Sequence, residues 1–192
     1  MPCYSKKEDR EDAELVVQAL DVKLIDVDIT KTYNFLEEEL QNKLGYSLVE
    51  ESKINIKPRL RMTALYAMAQ TLGYLVIGTG NLSEGMMGYT TKWGDSSSDF
   101  NPIGNFTKEE VVEIGRILGI PEKILEKAPS DGISSKTDEE KMGVEYSKIE
   151  EYIKTGKTDS EAMKIIEKLN KASKHKRVEV PTYYLKRKNY LN

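Results

Sequence analysis

The chain has 192 residues, of which 39% are hydrophobic and 32% charged, and this composition suits one domain with its own apolar core. Its formal charge of −3 gives no general attraction to nucleic acid or anionic membranes. No apolar run approaches the roughly 20 residues of a membrane span, and the single cysteine, Cys3, cannot form an internal disulfide. We therefore expect a cytoplasmic protein without nucleic-acid or membrane partners.

The first elements alternate between helical and strand-like patterns. Apolar residues recur at helical spacing over 9–20 and again over 33–44, and Gly45 is well placed to end the second helix. Between these helices, 23–28 alternates polar and apolar residues as a half-buried strand does.

A third helix is predicted from about Ile56 to Leu72. Pro58 is tolerable there if it lies in the first turn, where its missing N–H has no partner. The face predicted to point inward consists of Leu60, Ala64, Leu65, Met68 and Leu72. The apolar run 74–77 follows as a short strand, and the alternation favours a parallel sheet flanked by helices.

From Gly78 to Phe106 the regular pattern stops, and Gly, Ser, Thr and Asn dominate. A loop of this length in a compact domain is usually functional or disordered. Because it follows the carboxyl end of a predicted strand, it lies where open α/β sheets bind ligands.

Helical signals return at Thr107, whose spacing to Glu110 matches a capping box. An apolar face follows over 111–118. Three further helices are predicted at 121–127, from Thr137 to Met142, and from Thr158 or Asp159 to about Ser173.

The long loop holds Glu84, Asp95 and Asp99. Loop carboxylates at a strand end can hold Mg²⁺ together with phosphate oxygens and water, although they also occur on solvated acidic loops. Lys92 and Lys108 could offset phosphate charge, or could be surface lysines. The residues by themselves leave both alternatives open.

Other charged residues carry weaker signals. Arg59 and Arg61 lie near the predicted start of the third helix, where cations oppose the macrodipole and hint at an anionic ligand. The only histidine, His175, has no cysteine cluster with which to form a zinc site. The sequence contains no Gly-x-Gly-x-x-Gly or Walker-type run. The residue pattern therefore indicates an α/β domain with one long polar loop that is a candidate functional site.

The amino-acid sequences of six segments resemble those of the NAD synthase family. They are NIKPRLRM (55–62), GTGNLSEGMMGYTTKWGD (78–95), DFNPIGNFTK (99–108), KAPSDGI (127–133), TDEEKMGVEYSKIEEYI (137–153) and HKR (175–177). PCYSKKEDREDA (2–13) also fits the family's early segment. Each segment alone is short, but together they run in order across nearly the whole chain.

The resemblance implies a fold and a reaction. The fold is the Rossmann-like adenine nucleotide alpha-hydrolase (ATP-pyrophosphatase) fold, a doubly wound parallel sheet. In the reaction, ATP adenylates the nicotinate carboxylate of deamido-NAD and releases pyrophosphate, and ammonia then displaces AMP to give NAD. The resemblance also implies Mg²⁺, free ammonia as the nitrogen source and a homodimer.

Site roles follow from the same resemblance, position by position. Glu84 is similar to the family's Mg²⁺ ligand, and Asp95 is a candidate for orienting the reacting centre. The positions that resemble ATP contacts are Thr79, Lys108 and Ser130. The positions that resemble contacts to deamido-NAD are Arg59, Lys92, Asp99, His175 and Lys176.

One part of the family pattern has no counterpart in this sequence. Family members begin with a strand and a Ser-Gly-Gly-x-Asp-Ser loop whose N–H groups cradle pyrophosphate. A strand–loop–helix unit on the order of thirty residues is therefore expected to be missing. We expect residues 1–192 to form a single NAD synthase domain that lacks this unit, with low activity by itself.

Two alternatives remain open at this point. A non-catalytic protein could retain the dinucleotide contacts around Arg59, Lys92 and His175. A related ATP-pyrophosphatase ligase could act on a different acid, although the 78–108 segment and the HKR triplet argue against it.

Overall fold

The computed structural model describes residues 1–127 and 137–183, and in these ranges the chain is mostly helical. The helices are α1 (Lys7–Ala19), α2 (Thr30–Leu44), α3 (Glu50–Leu72), α4 (Leu82–Met87), α5 (Lys108–Ile117), α6 (Glu122–Leu125), α7 (Asp138–Met142), α8 (Tyr146–Thr155) and α9 (Ser160–Ala172), followed by a 3₁₀ turn at Lys174–Lys176. Among the described residues, no helix is long and apolar enough to cross a membrane.

Local stop and start signals place most of these helices as the sequence predicts. Gly45 ends α2 with a left-handed φ of 77°, a conformation that glycine adopts without steric penalty. Thr107 and Thr137 both form the predicted capping boxes, at the starts of α5 and α7. Asp159 caps α9 through its side chain.

The prediction for α3 is wrong in its start. The helix begins at Glu50, where acidic residues in the first turn suit the macrodipole. Pro58 therefore lies in the helix interior, where its missing N–H removes one intrahelical hydrogen bond. Arg59 and Arg61 are mid-helix residues, so the macrodipole argument for an anion near them does not hold.

The segment predicted as an irregular loop contains a helix, α4. It starts with a complete capping box between Asn81 and Glu84 and ends at Gly88 with φ 66°. Six residues between glycines are too short for a periodic pattern to reveal. A second helix, α8, is likewise absent from the periodicity-based predictions, although it lies within the family-like segment 137–153.

The predicted doubly wound parallel sheet is not observed, because the described residues contain no strand. In the part of the chain that the structure describes, the strand-type pairing is one isolated parallel bridge between Ile77 and Phe100. It is supported by the Asp99 N–H donating to the Val76 carbonyl at 2.8 Å and the Gly78 N–H donating to the Phe100 carbonyl at 2.7 Å. The segment predicted as a strand at 23–28 has no regular secondary structure, so this prediction is wrong.

Apolar packing is concentrated in the second half of the molecule. One cluster joins α4, α7, α8 and α9 around Ile149 and Ile166, both fully buried. A smaller cluster joins Cys3, Ile29 and Tyr33, with Leu60 of α3 packed against it. The predicted inward face of α3 is only partly confirmed, because Leu65 and Leu72 are 38% and 50% exposed.

Candidate functional site

A cavity of about 510 Å³ lies beside the first turn of α4, between α3 and the first residue of α7. Four of the residues predicted from the sequence line it: Thr79, Glu84, Asp95 and Lys176. They come from positions up to 97 apart in the chain, so the fold brings them together. Polar groups from the segment before α4, from α4, from the loop after it and from the 3₁₀ turn therefore converge on one cavity, as ligand sites require.

Glu84 is fixed in the cavity wall by its own helix. Its Oε2 accepts the Asn81 N–H at 3.0 Å, while the Asn81 side chain accepts the Glu84 N–H at 2.9 Å. Burial raises the pKa of the Glu84 carboxyl, whereas the Asn81 N–H and the nearby Lys108 ammonium oppose this rise. A half-buried carboxylate near a cation is suited to a metal ion or to a charged ligand that displaces water.

Two acidic neighbours add to the negative field at Glu84. Asp138 and Asp95 both raise the pKa of Glu84, and both line the cavity. Burial raises the pKa of the Tyr146 hydroxyl, and the nearby charges of Glu84 and Asp138 raise it further. Sequence reasoning missed Asp138, because an acid at the first position of a capped helix has a sufficient explanation in the macrodipole.

The loop after α4 is folded against α3. Asp95 Oδ1 accepts the Thr91 N–H at 2.8 Å, and the Thr91 hydroxyl donates to Asn55 of α3 at 2.7 Å. A Cβ at Gly94 would lie 3.2 Å from the backbone nitrogen of Arg59. Asp95 is therefore held at the cavity by a turn that α3 supports.

Four predicted substrate contacts, Arg59, Lys92, His175 and Lys176, lie next to one another and are called the rim; of these four, Lys176 lines the main cavity and the other three do not. Lys92 Nζ donates to the His175 carbonyl at 2.7 Å and lies 5.1 Å from the ring centre of Trp93. Arg59 Nε donates to the Lys92 carbonyl at 3.2 Å. Lys176 Nζ donates to the carbonyls of Gly88 and Thr90, and burial lowers its pKa although Asp95 opposes this.

The remaining predicted residues are Asp99, Lys108 and Ser130, of which Asp99 and Lys108 do not line the main cavity. Asp99 is not among the residues that line the cavity; its carboxylate accepts the Val76 N–H at 2.7 Å and the Tyr66 hydroxyl at 3.4 Å, contacts that join two extended segments. Lys108 lies near Glu84, and its N–H donates to the Ser83 hydroxyl at 3.2 Å. Ser130 lies outside the described residues.

The donor set around Glu84 suits a hard cation with other oxygen ligands. Within 1–127 and 137–183, no three His, Cys, Asp or Glu side chains come close enough to hold a metal ion by themselves. Mg²⁺ typically takes only one or two protein carboxylates and completes its shell with phosphate oxygens and water. The carboxylate of Glu84 therefore fits Mg²⁺ in the presence of a phosphate ligand.

Comparison with solved structures defines the class of protein. The NMN synthetase from Francisella tularensis superposes with a TM-score of 0.87 at 34% identity, covering 94% of this chain and 75% of that one. An NH3-dependent NAD synthetase from Campylobacter jejuni, at 23% identity and TM-score 0.74 over 94% of this chain and 73% of that one, shares the fold. Such neighbours have the Rossmann-like adenine nucleotide alpha-hydrolase fold.

Sequence comparison then defines the family. The NAD synthase family model matches residues 1–186. The NH(3)-dependent NAD(+) synthetase of Carboxydothermus hydrogenoformans is 46% identical over 184 residues, covering 94% of this chain and 76% of the relative. That of Pyrococcus furiosus is 39% identical over 192 residues, covering 92% and 73%. This chain belongs to the NAD synthase family, whose named members are ligases that form C–N bonds.

Proposed function

We propose that the chain catalyses the ATP-dependent amidation of deamido-NAD by ammonia. A carboxylate oxygen of nicotinate attacks the α-phosphorus of ATP and pyrophosphate leaves. Ammonia then attacks the acyl carbon of the adenylate, AMP leaves with the transferred oxygen, and one proton is lost from nitrogen. The observation that carries the proposal is the convergence of Thr79, Glu84, Asp95 and Lys176 on one cavity of a NAD synthase family member.

Thr79, Glu84 and Lys108 would bind the phosphates of ATP and their Mg²⁺. Glu84 would hold Mg²⁺, which supplies charge neutralisation for the phosphates of ATP when bound. The Lys108 ammonium opposes the rise in the pKa of Glu84, and this electrostatic proximity supports a role for Lys108 beside the same phosphates, although it does not line the cavity. Ser130, which resembles a further ATP contact, stays a proposal on the resemblance alone.

Asp95 is proposed as the group that orients ammonia. Its carboxylate is fixed by the Thr91 N–H, and it lines both the main cavity and an adjoining cavity of about 380 Å³. A carboxylate so held can accept an N–H of the attacking amine and the proton that this amine loses.

The rim formed by Arg59, Lys92 and Lys176, with His175, is proposed to bind deamido-NAD. Cations that already contact backbone carbonyls are held in place before the ligand arrives, which lowers the entropic cost of binding. Asp99 has weaker support as a substrate contact, because its carboxylate joins the extended segments.

A second candidate function is the amidation of nicotinate mononucleotide. The observation that favours it is the TM-score of 0.87 to a protein described as NMN synthetase. The two reactions share their chemistry and differ only in whether an adenylyl half extends beyond the phosphate. The two candidate functions are therefore distinguished by comparing the two acids as substrates.

We also propose a homodimer and a single-domain organisation in a reducing, cytoplasmic environment. Exposed aromatic and aliphatic residues on α2 and on the turn after it support an interface: Phe35, Tyr46 and Val49 are each at least 67% exposed. The lone cysteine, Cys3, lies buried and unbridged. Sedimentation velocity at several protein concentrations tests the dimer.

One assay separates these functions. The chain is mixed with ATP, Mg²⁺, ammonia and either deamido-NAD or nicotinate mononucleotide, each carrying ¹⁸O in its carboxylate. Amidation through an acyl-adenylate transfers one ¹⁸O to AMP, with one pyrophosphate per amide. Calorimetric binding of deamido-NAD without turnover favours a non-catalytic binder, and turnover restricted to the mononucleotide favours the second function.

A further inference from the structure

The carboxyl end of α4 is held by side chains from the corner where α9 meets the 3₁₀ turn. Arg177 Nη1 donates to the Gly85 carbonyl at 2.9 Å, and Asn170 Nδ2 donates to the Met86 carbonyl at 2.8 Å. Lys176 Nζ donates to the Gly88 carbonyl at 2.8 Å. The end of a short helix has few intrahelical donors for its last carbonyls. The Gly85 carbonyl also accepts the Gly88 N–H at 3.2 Å, so Arg177 adds a second donor to it, and Asn170 and Lys176 supply side-chain donors to the Met86 and Gly88 carbonyls.

The Arg177 guanidinium forms hydrogen bonds through both of its terminal nitrogens. Its Nη1 also donates to the Ser173 hydroxyl at 2.8 Å, and its Nη2 donates to the Asn170 carbonyl at 2.6 Å. The guanidinium thus joins α4 to the end of α9 with a rigid planar fork. A lysine would keep the charge but not this geometry.

The same two elements touch without space between them. Gly88 has φ 66°, and a Cβ added there would lie 2.0 Å from the Cβ of Ser173. Asn170 Nδ2 also lies 3.0 Å from the Met86 sulfur. The position of α4 is therefore determined by the α9 corner as well as by its own capping box.

We infer that Arg177 is a positioning residue that holds α4 so that Glu84 faces the main cavity. Glu84 is adjacent in the chain to Gly85, whose carbonyl Arg177 contacts, and Glu84 lines that cavity. The inference rests on the proposed function in taking Glu84 as the carboxylate that holds Mg²⁺.

The consequence for the site is geometric. Displacement by about 1 Å of a group that positions phosphates can lower a rate by about a hundredfold. Arg177 lines the adjoining cavity but not the main one. Its loss should therefore alter metal binding at Glu84 through the position of α4.

The test compares Arg177→Lys with Arg116→Lys, a matched change on α5, where Arg116 pairs with exposed Glu113 and Glu122. Three quantities are measured on the full chain. The first two are the hydrogen exchange of the α4 amides and the Mn²⁺ affinity in the presence of ATP, the latter by electron paramagnetic resonance. Deamido-NAD affinity is measured by calorimetry. We expect Arg177→Lys to speed α4 exchange and weaken Mn²⁺ binding by about tenfold each, as for a lost charge-assisted bond, with dinucleotide affinity changed by less than about twofold.

Each outcome decides one of the two claims. Unchanged α4 exchange in Arg177→Lys overturns the inference, whether or not metal binds. Faster α4 exchange with unchanged Mn²⁺ affinity also overturns it, because the contact would then be structural only. An equal loss of dinucleotide affinity would make Arg177 a substrate contact instead. If the parent chain binds no Mn²⁺ with ATP, the proposed role of Glu84 fails, and the exchange rates still decide whether Arg177 holds α4.

Discussion

Glu84 has two roles that arise from one position in a short helix. As the third residue of α4 it accepts the Asn81 N–H and completes the capping box, and the same position directs its carboxyl group to the cavity. Glu110 occupies the equivalent position in α5, with the same capping geometry, but it does not line that cavity. Glu110 therefore has the capping role without the position at the cavity, and comparing the two residues distinguishes capping from ligand binding.

We predict that Glu84→Gln lowers Mn²⁺ affinity in the presence of ATP, and any amidation rate, by at least about tenfold, because the anionic ligand is lost. Thermal stability should change little, since Gln can still accept from the Asn81 N–H. Glu110→Gln is the control and should leave metal affinity unchanged. Equal losses in both variants would assign the effect to capping. The measurements are electron paramagnetic resonance and thermal denaturation.

Gly88 allows a close approach that a side chain would prevent. Its φ is 66°, and its Cβ would collide with Ser173 at 2.0 Å. Gly143, at the end of α7, has φ 73°, but a Cβ added there would meet nothing within 4 Å. The pair differs in the neighbouring atoms and hardly at all in the backbone.

We predict that Gly143→Ala costs about 1–2 kcal/mol, the strain of a left-handed alanine, and that Gly88→Ala costs a further 1–3 kcal/mol or so from overpacking. Urea denaturation of both variants measures the difference. Adding Ser173→Gly to Gly88→Ala should recover part of the excess. Equal destabilisation of the two variants would contradict the close contact.

At the scale of elements, a charge cluster joins α1 to α6. The buried Asp12 of α1 pairs with Lys123 at 2.6 Å and Lys127 at 2.7 Å. Hydrogen bonds from Lys123 and then Lys127 lower the pKa of Asp12 below its ordinary value of 3.8. A carboxyl with a lowered pKa in the folded state stabilises the protein above its unfolded pKa, and this contribution is lost as the pH falls through the folded pKa.

We predict that Asp12→Asn lowers the melting temperature at pH 7 and that the difference from the parent chain shrinks as the pH falls below about 4. Asp26→Asn is the control, because Asp26 forms a more exposed pair with Arg10, and exposed pairs contribute little. Melting temperatures from pH 7 to pH 3 provide the measurement. A difference that persists unchanged in acid would exclude an electrostatic origin.

At the scale of the whole molecule, packing is uneven. The α4–α7–α8–α9 cluster is well buried, whereas Leu75 and Ile77, in the predicted strand 74–77, are 71% and 54% exposed. Backbone groups of Val76 and Gly78 bond to Asp99 and Phe100. Since alternate residues of a strand direct their N–H and C=O groups to opposite edges, Leu75 and Ile77 direct theirs to the other edge.

An apolar edge of this kind favours pairing with another chain. We predict that Leu75→Lys reduces concentration-dependent self-association of the 192-residue chain, because a charge at an edge opposes pairing. Leu118→Lys is the control: Leu118 is 66% exposed but follows a helix and has no strand edge. Sedimentation velocity measures the large species, and equal effects of the two variants would indicate general apolar association instead.

Much of the local structure could be predicted because its causes lie within a few residues. The capping boxes at Thr107 and Thr137 depend on side chains three positions away. The helix stop at Gly45 depends on its own left-handed backbone, whose N–H bonds to the Gln41 carbonyl. The predicted start of α3 is wrong, because a proline is compatible with a first turn but here lies in the helix interior. The short helix α4 is not predicted, because its cap and its stop lie among the glycines of the 78–106 segment.

The sequence by itself determined the family, most helix ends and the polar segment that follows residue 77. Only the tertiary structure decided which polar residues share a cavity. Asp138 lies 54 positions from Glu84, and Arg177 lies 92 positions from Gly85, so their proximity depends on how α7 and α9 pack against α4. Capping is a local interaction that a short pattern can encode, whereas the composition of a cavity depends on contacts between elements that no short pattern contains.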